Sequence, residues 1–376
     1  MRIGRTPLVT ASLLFAIAGL ACSSISSGST SAETPPPLVV MDARTGSVDH
    51  AFQVVECAPY SAVADGQTGW YVGGYSLTGP PGQSPPCLIH LLADGSADTT
   101  FAPKLSKYQY IDTIIRYRNV LYTGSENGVA AFSARSGRRL WSRPTADQVN
   151  SLAMGNGVLY IGGAFEHIGS APRIAIAALD PRTGRAKAWK ARLSRSRGFP
   201  ISIGSMALGN GALYIGGKFD RVNGVKRPLG IAALNPRSGL PKPWSPKPGR
   251  QPSDVWSILP THGQVLVGGK QGFAVYDART GRNLPWRNRL RGSATSFAVS
   301  RDTVYLAART LYAGFDRAGN RRVNNLAAVR LPGGKFTNWR PILAPCADVG
   351  TIAVSGNKVL VGGDFGKSTP QCGSGG

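Results

Sequence analysis

The chain repeats itself. Two stretches, LYIGGAFEHIGSAPRIAIAALDPRTGRAKAW (159–189) and LYIGGKFDRVNGVKRPLGIAALNPRSGLPKPW (213–244), align almost residue for residue. A period of this length restricts a chain to architectures in which one supersecondary unit is stacked many times. Each stretch reads as strand, loop, strand, tight turn, strand, with β-branched apolar runs broken by Gly, Pro and Asn. Upstream of each lies a further apolar segment with its own turn, SLAMGNG (151–157) and SMALGNG (205–211). The unit is four short antiparallel strands, which is the blade of a β-propeller.

Two markers carry the unit around the chain. Its inner half ends in a pair of small residues: Gly73-Gly74, Gly124-Ser125, Gly162-Gly163, Gly216-Gly217, Gly268-Gly269, Ala307-Ala308 and Gly362-Gly363. Its outer half ends in an aromatic after a D-x-x-T-G-like turn: Phe52, Phe101, Trp141, Trp189, Trp244, Trp286 and Trp339. Both markers occur seven times, so the expected fold is all-β, a seven-bladed β-propeller spanning 37–373. The small pairs are expected to allow close backbone approach or positive φ. The aromatics are expected to fill the space between sheets. The chain opens with an outer half (37–53) and closes with an inner half (347–363), which predicts two-plus-two strand closure between the N- and C-terminal segments. Composition agrees: 48 Gly, 27 Pro and only 16% charged residues suit short strands and turns rather than long helices.

The pattern Y-[IV]-G-G-x-F, an Arg, then I-A-A-L-[DN]-P-R-[TS]-G and W resembles a bacterial secreted β-propeller repeat family of unknown function. The Gly-Gly pair followed by an aromatic is distantly similar to Kelch repeats. The A-L-D-P-R-T-G…W stretch resembles the repeats of quinoprotein dehydrogenases and of the propeller lipoprotein that assists outer-membrane β-barrel assembly. Both of those relatives generally have eight blades. These resemblances imply fold far more than function.

Residues 1–21 read as a signal peptide: Arg2 and Arg5 precede an apolar stretch from Leu8 to Leu20, too short to span a bilayer, and small residues follow. Ala18-Gly19-Leu20-Ala21-Cys22 resembles a bacterial lipobox, with Gly19 where a large aliphatic residue is usual. Cys22 is the expected lipidation site, and ordinary cleavage after Ala21 is the alternative. A polar Ser/Thr/Pro tether occupies 22–36. Four cysteines follow, and their places in the repeat pair Cys57 with Cys87 and Cys346 with Cys372. The expected location is the bacterial cell envelope, with a lipid anchor holding the exported domain at the membrane.

Chemistry is sparse. His50, His90, His167 and His262 are isolated, and neither a G-x-S-x-G elbow nor a C-x-x-C pair occurs. No catalytic residue, metal site or cofactor is predicted. The quinoprotein resemblance implies adjacent cysteines and an acidic calcium site, and neither is evident. A polar cluster repeats in the loops between the second and third strands: Glu166, His167, Asp220, Arg221, Asp316, Arg317 and Asp364, each beside a phenylalanine. These form a candidate ligand rim, against a purely structural role in which the acids accept bonds from Arg173 or Arg227.

The formal charge of +24, or about +22 without the signal peptide, favours polyanionic partners. Arg44, Arg135, Arg182, Arg237 and Arg279 occupy one turn position in five blades, a candidate belt for an acidic polymer or anionic lipid. Nucleic acid is disfavoured, because the chain is exported and the basic positions lack interleaved stacking aromatics. The expected role is a binding or scaffolding propeller of the cell envelope. The alternatives are a propeller enzyme, quinone-dependent or carbohydrate-active, and a membrane-protein assembly lipoprotein that joins an envelope protein.

Overall fold

The computed structural model describes residues 38–52, 57–76, 86–105, 110–196, 200–246, 254–270, 272–286, 291–312, 325–341 and 348–365. Cys22, Cys346, Cys372, Asp316 and Arg317 lie outside them, as do the signal and tether segments. The described residues are all-β and contain no helix, and so none long and apolar enough to cross a membrane.

Sheet one runs through Ala58–Ala64, Trp70–Tyr75 and Pro86–Leu91. Sheet two adds a fourth strand: Ile111–Tyr117, Val120–Ser125, Gly128–Ser133 and Arg139–Pro144. Sheets three and four, built from the near-identical repeats, are Val149–Gly155, Val158–Gly163, Ile176–Leu179 and Ser202–Gly209, Ala212–Lys218, Ile231–Leu234. Sheet five is Val255–Thr261, Gln264–Gly269 and Gly272–Asp277. Sheet six is Arg291–Ser300, Thr303–Tyr312, Leu326–Arg330 and Lys335–Phe336. In sheet seven Asp348–Ser355 and Lys358–Asp364 are followed by Leu38–Asp42 and Val48–Phe52, with Val40 opposite Leu360.

Every pairing within these sheets is antiparallel, and the first strand of each packs beside the first strand of the next. That adjacency also joins sheet seven to sheet one. Apolar residues collect between neighbouring sheets rather than in one central core. Tyr160, Ile176, Ile203 and Met206 fill the gap between sheets three and four. Leu38, Leu360, Trp70 and Val72 do the same between sheets seven and one.

One detail departs from the sequence expectation and a second decides between its two alternatives. The fourth segment of sheets one, three, four and five is reduced to single bridges, Leu91–Ala97, Leu179–Ala186, Leu234–Pro241 and Tyr276–Asn283. In sheet four Pro241 and Pro243 lack the N–H groups that a longer ladder needs. The Gly-Gly pairs, in turn, serve close approach, because none of them takes a positive φ. A Cβ on Gly162 would stand 2.6 Å from Ile203 Cγ2 of the next sheet. A Cβ on Gly163 would collide with the Gln148 carbonyl within its own sheet.

Cys57 and Cys87 form a disulfide that spans sheet one, with Cα atoms 5.6 Å apart.

Candidate functional site

The first strand of every sheet carries one extra residue. In sheet three, Val149 opposes Gly163 and Ser151 opposes Gly162, so Asn150 has no partner on the second strand. The same bulge isolates Tyr60, Asp112, Gly204, Trp256, Thr295 and Gly350 in the other sheets. Beside it, a carbonyl at the start of the first strand stands where a Cβ on Gly74, Gly163, Gly217 or Gly363 would be. A β-bulge redirects a side chain out of the regular pleat, and bulges recur beside functional sites.

Sequence reasoning missed this position, although a signal exists. Each bulged residue precedes a Ser or Thr: Ser61, Thr113, Ser151, Ser205, Ser257, Ser296 and Thr351. That hydroxyl residue lies eleven positions before the first small residue of the pair in six sheets, and twelve in sheet one. Two of these hydroxyls accept bonds across the sheet boundary, Ser61 from Ile114 N–H at 3.2 Å and Ser151 from Met206 N–H at 2.7 Å.

Around the bulges of sheets one and two, the side chains gather into an aromatic and acidic cluster. Tyr60 and Tyr75 have ring centroids 5.2 Å apart, Tyr75 and Tyr110 5.2 Å, and Tyr60 and Tyr110 6.4 Å. Burial pushes the Asp112 carboxyl up to about 7, a hydrogen bond from Gln148 opposes the rise, and Glu126 adds to it. Burial, then Asp147, raises Glu126 as well. Burial first, then Tyr75, Asp112, Tyr110 and Glu126, raises the Tyr60 phenol. The Asp112 Oδ2 atom is out of water and accepts no hydrogen bond.

The belt arginines sit on turns that clamp neighbouring sheets together. Trp141 Nε1–H donates to Pro181 O (2.9 Å), Trp189 to Pro236 O (3.0 Å), Trp244 to Asp277 O (2.9 Å) and Trp339 to Asp42 O (3.0 Å). Second-strand tyrosines reach the same turns, as Tyr160 does to Pro236 O at 2.8 Å and Tyr305 to Ala43 O at 2.6 Å. Four of the outer aromatics therefore do more than fill space: the indoles of Trp141, Trp189, Trp244 and Trp339 fasten their sheets to the next, whereas the Trp286 N–H is buried without a partner among the described residues. The turn acid holds the loop through its own side chain. Backbone N–H groups, Thr45 on Asp42 and Arg182 on Asp180 foremost, hold those carboxyls below their usual range, and the Thr280 hydroxyl leads in doing so for Asp277. Arg44, Arg135, Arg182, Arg237 and Arg279 are all exposed.

The candidate rim is placed but only partly joined. Glu166 and His167 are exposed at a two-residue hairpin, His167–Ile168 with Ala171–Pro172. Asp220 and Arg221 occupy the matching hairpin of sheet four. Asp220 Oδ2 accepts Ser196 N–H at 2.8 Å, and Arg221 donates to Gly224 O at 3.2 Å, so both are engaged locally. Ser196 N–H, the leading cause, lowers the Asp220 carboxyl. Arg173 and Arg227 do not hold the acids through their guanidiniums. Each backbone N–H bonds the carbonyl of Glu166 or Asp220, and the guanidinium instead binds carbonyls that include Lys187 O or Lys242 O. The planar fork thus secures the fourth segment that the shortened ladder leaves loose. Asp364 ends its strand opposite Asp348. Among the described residues no cluster of three His, Cys, Asp or Glu has metal-binding geometry.

Solved structures of similar fold include a chain of the mitotic checkpoint complex, 16% identical, with a TM-score of 0.54, covering 94% of this chain and 99% of that one. The Pan2 WD40 domain of Neurospora crassa is 11% identical, with a TM-score of 0.51 and coverage of 83% and 90%. The extracellular domain of the putative one component system BT4673 from B. thetaiotaomicron is 16% identical, with a TM-score of 0.52. That match covers 87% of this chain and 39% of the other. At such identities the likeness concerns fold alone, and the fold is a β-propeller. No curated protein sequence matches the chain. Residues 118–335, more than half of the chain, match the family model described as outer membrane protein assembly factor BamB, and the protein belongs to that family.

Proposed function

We propose that the protein is an exported envelope scaffold: a seven-bladed propeller, closed by its two ends, that holds a partner protein during membrane-protein assembly. The observation that carries this reading is the family match across residues 118–335. The seven-bladed count draws support from the seven larger sheets of the nine among the described residues, the other two being small sheets of two-residue strands, and from the packing of sheet seven against sheet one. Two-plus-two closure draws support from the pairing of Leu38–Asp42 with Lys358–Asp364. Residues 1–21 are the signal peptide, Cys22 carries the lipid, and 22–36 tether the propeller at 37–373 to the membrane. Cys346 and Cys372 form the second disulfide.

A scaffold of this kind needs a rigid body and accessible edges. The indole and phenol bonds between sheets supply the first, and the exposed turns supply the second. The test is crosslinking in the native envelope from residues placed at the turn arginines. Recovery of a defined complex with an outer-membrane assembly protein is the expected result. A chain that stays uncrosslinked at every turn sinks the reading. In parallel, Cys22→Ser is expected to move the protein from the membrane fraction to the soluble one.

A second reading is favoured by the shared exposure of Arg44, Arg135, Arg182, Arg237 and Arg279. They form a belt for an acidic envelope polymer or anionic headgroups, strengthening a single-chain lipid anchor that is weak alone. Replacing all five by Gln should abolish salt-dependent retention on anionic vesicles. The hairpins bearing Glu166, His167, Asp220 and Arg221 are the candidate rim for a smaller ligand.

A further inference from the structure

We propose that the bulges of sheets one and two build a recognition site for an organic cation, the ammonium or guanidinium of a lysine or arginine side chain. Tyr60 and Asp112 occupy the bulge position of adjacent first strands, with Tyr75, Tyr110 and Glu126 beside them. The proposal stands apart from the envelope scaffold reading and does not depend on it.

Three observations converge. First, three bulge positions in succession carry the polar and aromatic side chains Tyr60, Asp112 and Asn150, and a glycine flanks the run on each side, Gly350 before it and Gly204 after it. Second, the aromatic surface is contiguous and open. Tyr60 is 45% exposed although its ring contacts two other tyrosines, so a π-face is available to a cation. Third, among the described residues no countercharge is paired with the acids beside that face. No ion pair among the described residues includes Asp112 or Glu126. This is unusual in a chain with 43 Lys and Arg against 19 Asp and Glu. The buried Asp112 Oδ2 atom is without a donor. A buried polar atom without a partner is unfavourable, and an arriving N–H donor relieves it.

The ligand class follows from those groups. A carboxyl held in a dry place beside a second carboxyl resists ionising alone, and a cation removes the obstacle by pairing with it. The alkyl stem of lysine or arginine lies well along tyrosine rings while its charged head reaches the carboxyls. A neutral sugar would use the rings but leave the acids without a countercharge.

The test uses the purified full chain, titrated calorimetrically at pH 8 with Nα-acetyl-lysine amide, its arginine counterpart and the neutral Nα-acetyl-glutamine amide. Saturable binding of the cationic amides is expected, with a dissociation constant on the order of 1 mM. The glutamine amide should bind at least tenfold more weakly. Asp112→Asn and Tyr60→Ala should each weaken the cationic amides about tenfold, and Tyr60→Phe, which keeps the ring, should stay within about twofold. Far-ultraviolet circular dichroism of each variant separates loss of binding from loss of fold. Equal binding of the glutamine amide, absence of saturation, or unchanged affinity in folded Asp112→Asn would overturn the proposal. So would glucose binding in place of the cations.

Discussion

Sheet one and the twin sheets three and four solve one packing problem with different side chains. In the twins a small residue faces the second-strand tyrosine across the ladder, Ala178 opposite Tyr160 and Ala233 opposite Tyr214. That space admits an indole: Trp189 lies 5.5 Å from Tyr160, and Trp244 lies 5.0 Å from Tyr214. In sheet one the residue opposite Tyr71 is His90, and the aromatic from the outer segment shrinks to Phe101. His90 stacks on Tyr71 at 4.4 Å, with Nδ1 2.8 Å from Asp98 and Nε2 3.3 Å from Asp65. Sheet one loses the indole N–H but keeps the Tyr71 bond to Ala134 O at 2.7 Å, and it gains a disulfide. A repeat thus tolerates divergence when side-chain volume is conserved across the ladder and a new fastening replaces the lost one.

The largest effect should come from removing an indole in the twins. Trp244→Ala creates a cavity between sheets four and five and leaves the Asp277 carbonyl with the Gly281 N–H as its turn partner but no bond from the neighbouring sheet. The expected loss is about 3–5 kcal/mol, read by urea unfolding. A loss below about 1 kcal/mol would mean that the indoles are ornaments of the fold rather than its fasteners. In sheet one the comparable element is the Cys57–Cys87 bond, which closes a loop of sequence separation 30. Cys57→Ser with Cys87→Ser should cost about 3–4 kcal/mol. If it costs much less, the His90 network alone holds the sheet.

A second contrast concerns one position rather than a whole sheet. Asp112 and Asn150 occupy the same bulge in neighbouring sheets. A carboxyl whose folded value is about 7 against an ordinary 3.8 binds its proton more tightly when folded. Stability therefore falls as pH rises from about 4 to 7, and each tenfold difference in proton affinity between the folded and unfolded chain is worth about 1.4 kcal/mol. Asp112→Asn should leave stability unchanged at pH 4 and raise it by roughly 2–4 kcal/mol at pH 8. Parallel unfolding curves at pH 4 and pH 8 decide it. A destabilised variant at pH 8 would show that the carboxylate is paired in the folded state.

Much of the architecture was legible because it repeats: the Gly-Gly pairs and the outer aromatics mark sheets by simple spacing. The Cys57–Cys87 bond followed from register alone. The bulge cluster was hidden because six residue types fill its seven positions, with only glycine occurring twice. Tyr, Asp, Asn, Gly, Trp and Thr share a backbone position and no chemistry. The roles of Arg173 and Arg227 were hidden for another reason. A side chain that binds backbone carbonyls leaves no complementary residue in the sequence to pair it with. The identity of the turn acid as a loop fastener was legible, since Asp or Asn before Thr and Gly is a known turn pattern.

The acid side of the His90 network gives a smaller effect with a definite sign. The Thr100 hydroxyl first, and then His90, hold Asp98 down at about 2. Its contribution to stability is present above the ordinary 3.8 and lost as pH falls through about 2. Wild type and Asp98→Asn should therefore differ most above pH 4 and converge near pH 2. Curves that stay parallel throughout would remove Asp98 from the stability of sheet one.

The smallest net effect is the most discriminating, because it converts one sheet's solution into the other's. Phe101→Trp alone should be unfavourable by about 1–3 kcal/mol, since His90 already fills the space that an indole needs. His90→Ala alone opens a cavity and removes the ring partner of the Asp65 and Asp98 Oδ2 atoms, while their Oδ1 atoms keep their bonds. Together the two changes recreate the pairing of Ala178 with Trp189, and the new N–H can reach the Ala134 carbonyl, the counterpart of Pro236. The double variant should return to within about 1 kcal/mol of wild type, with a favourable coupling of about 1–3 kcal/mol between the sites. Strict additivity in that cycle would mean that His90 and Phe101 do not share one volume. Tyr71 would then be held by the disulfide and its own hydroxyl bond, and sheet one would be a different construction rather than a variation on the twins.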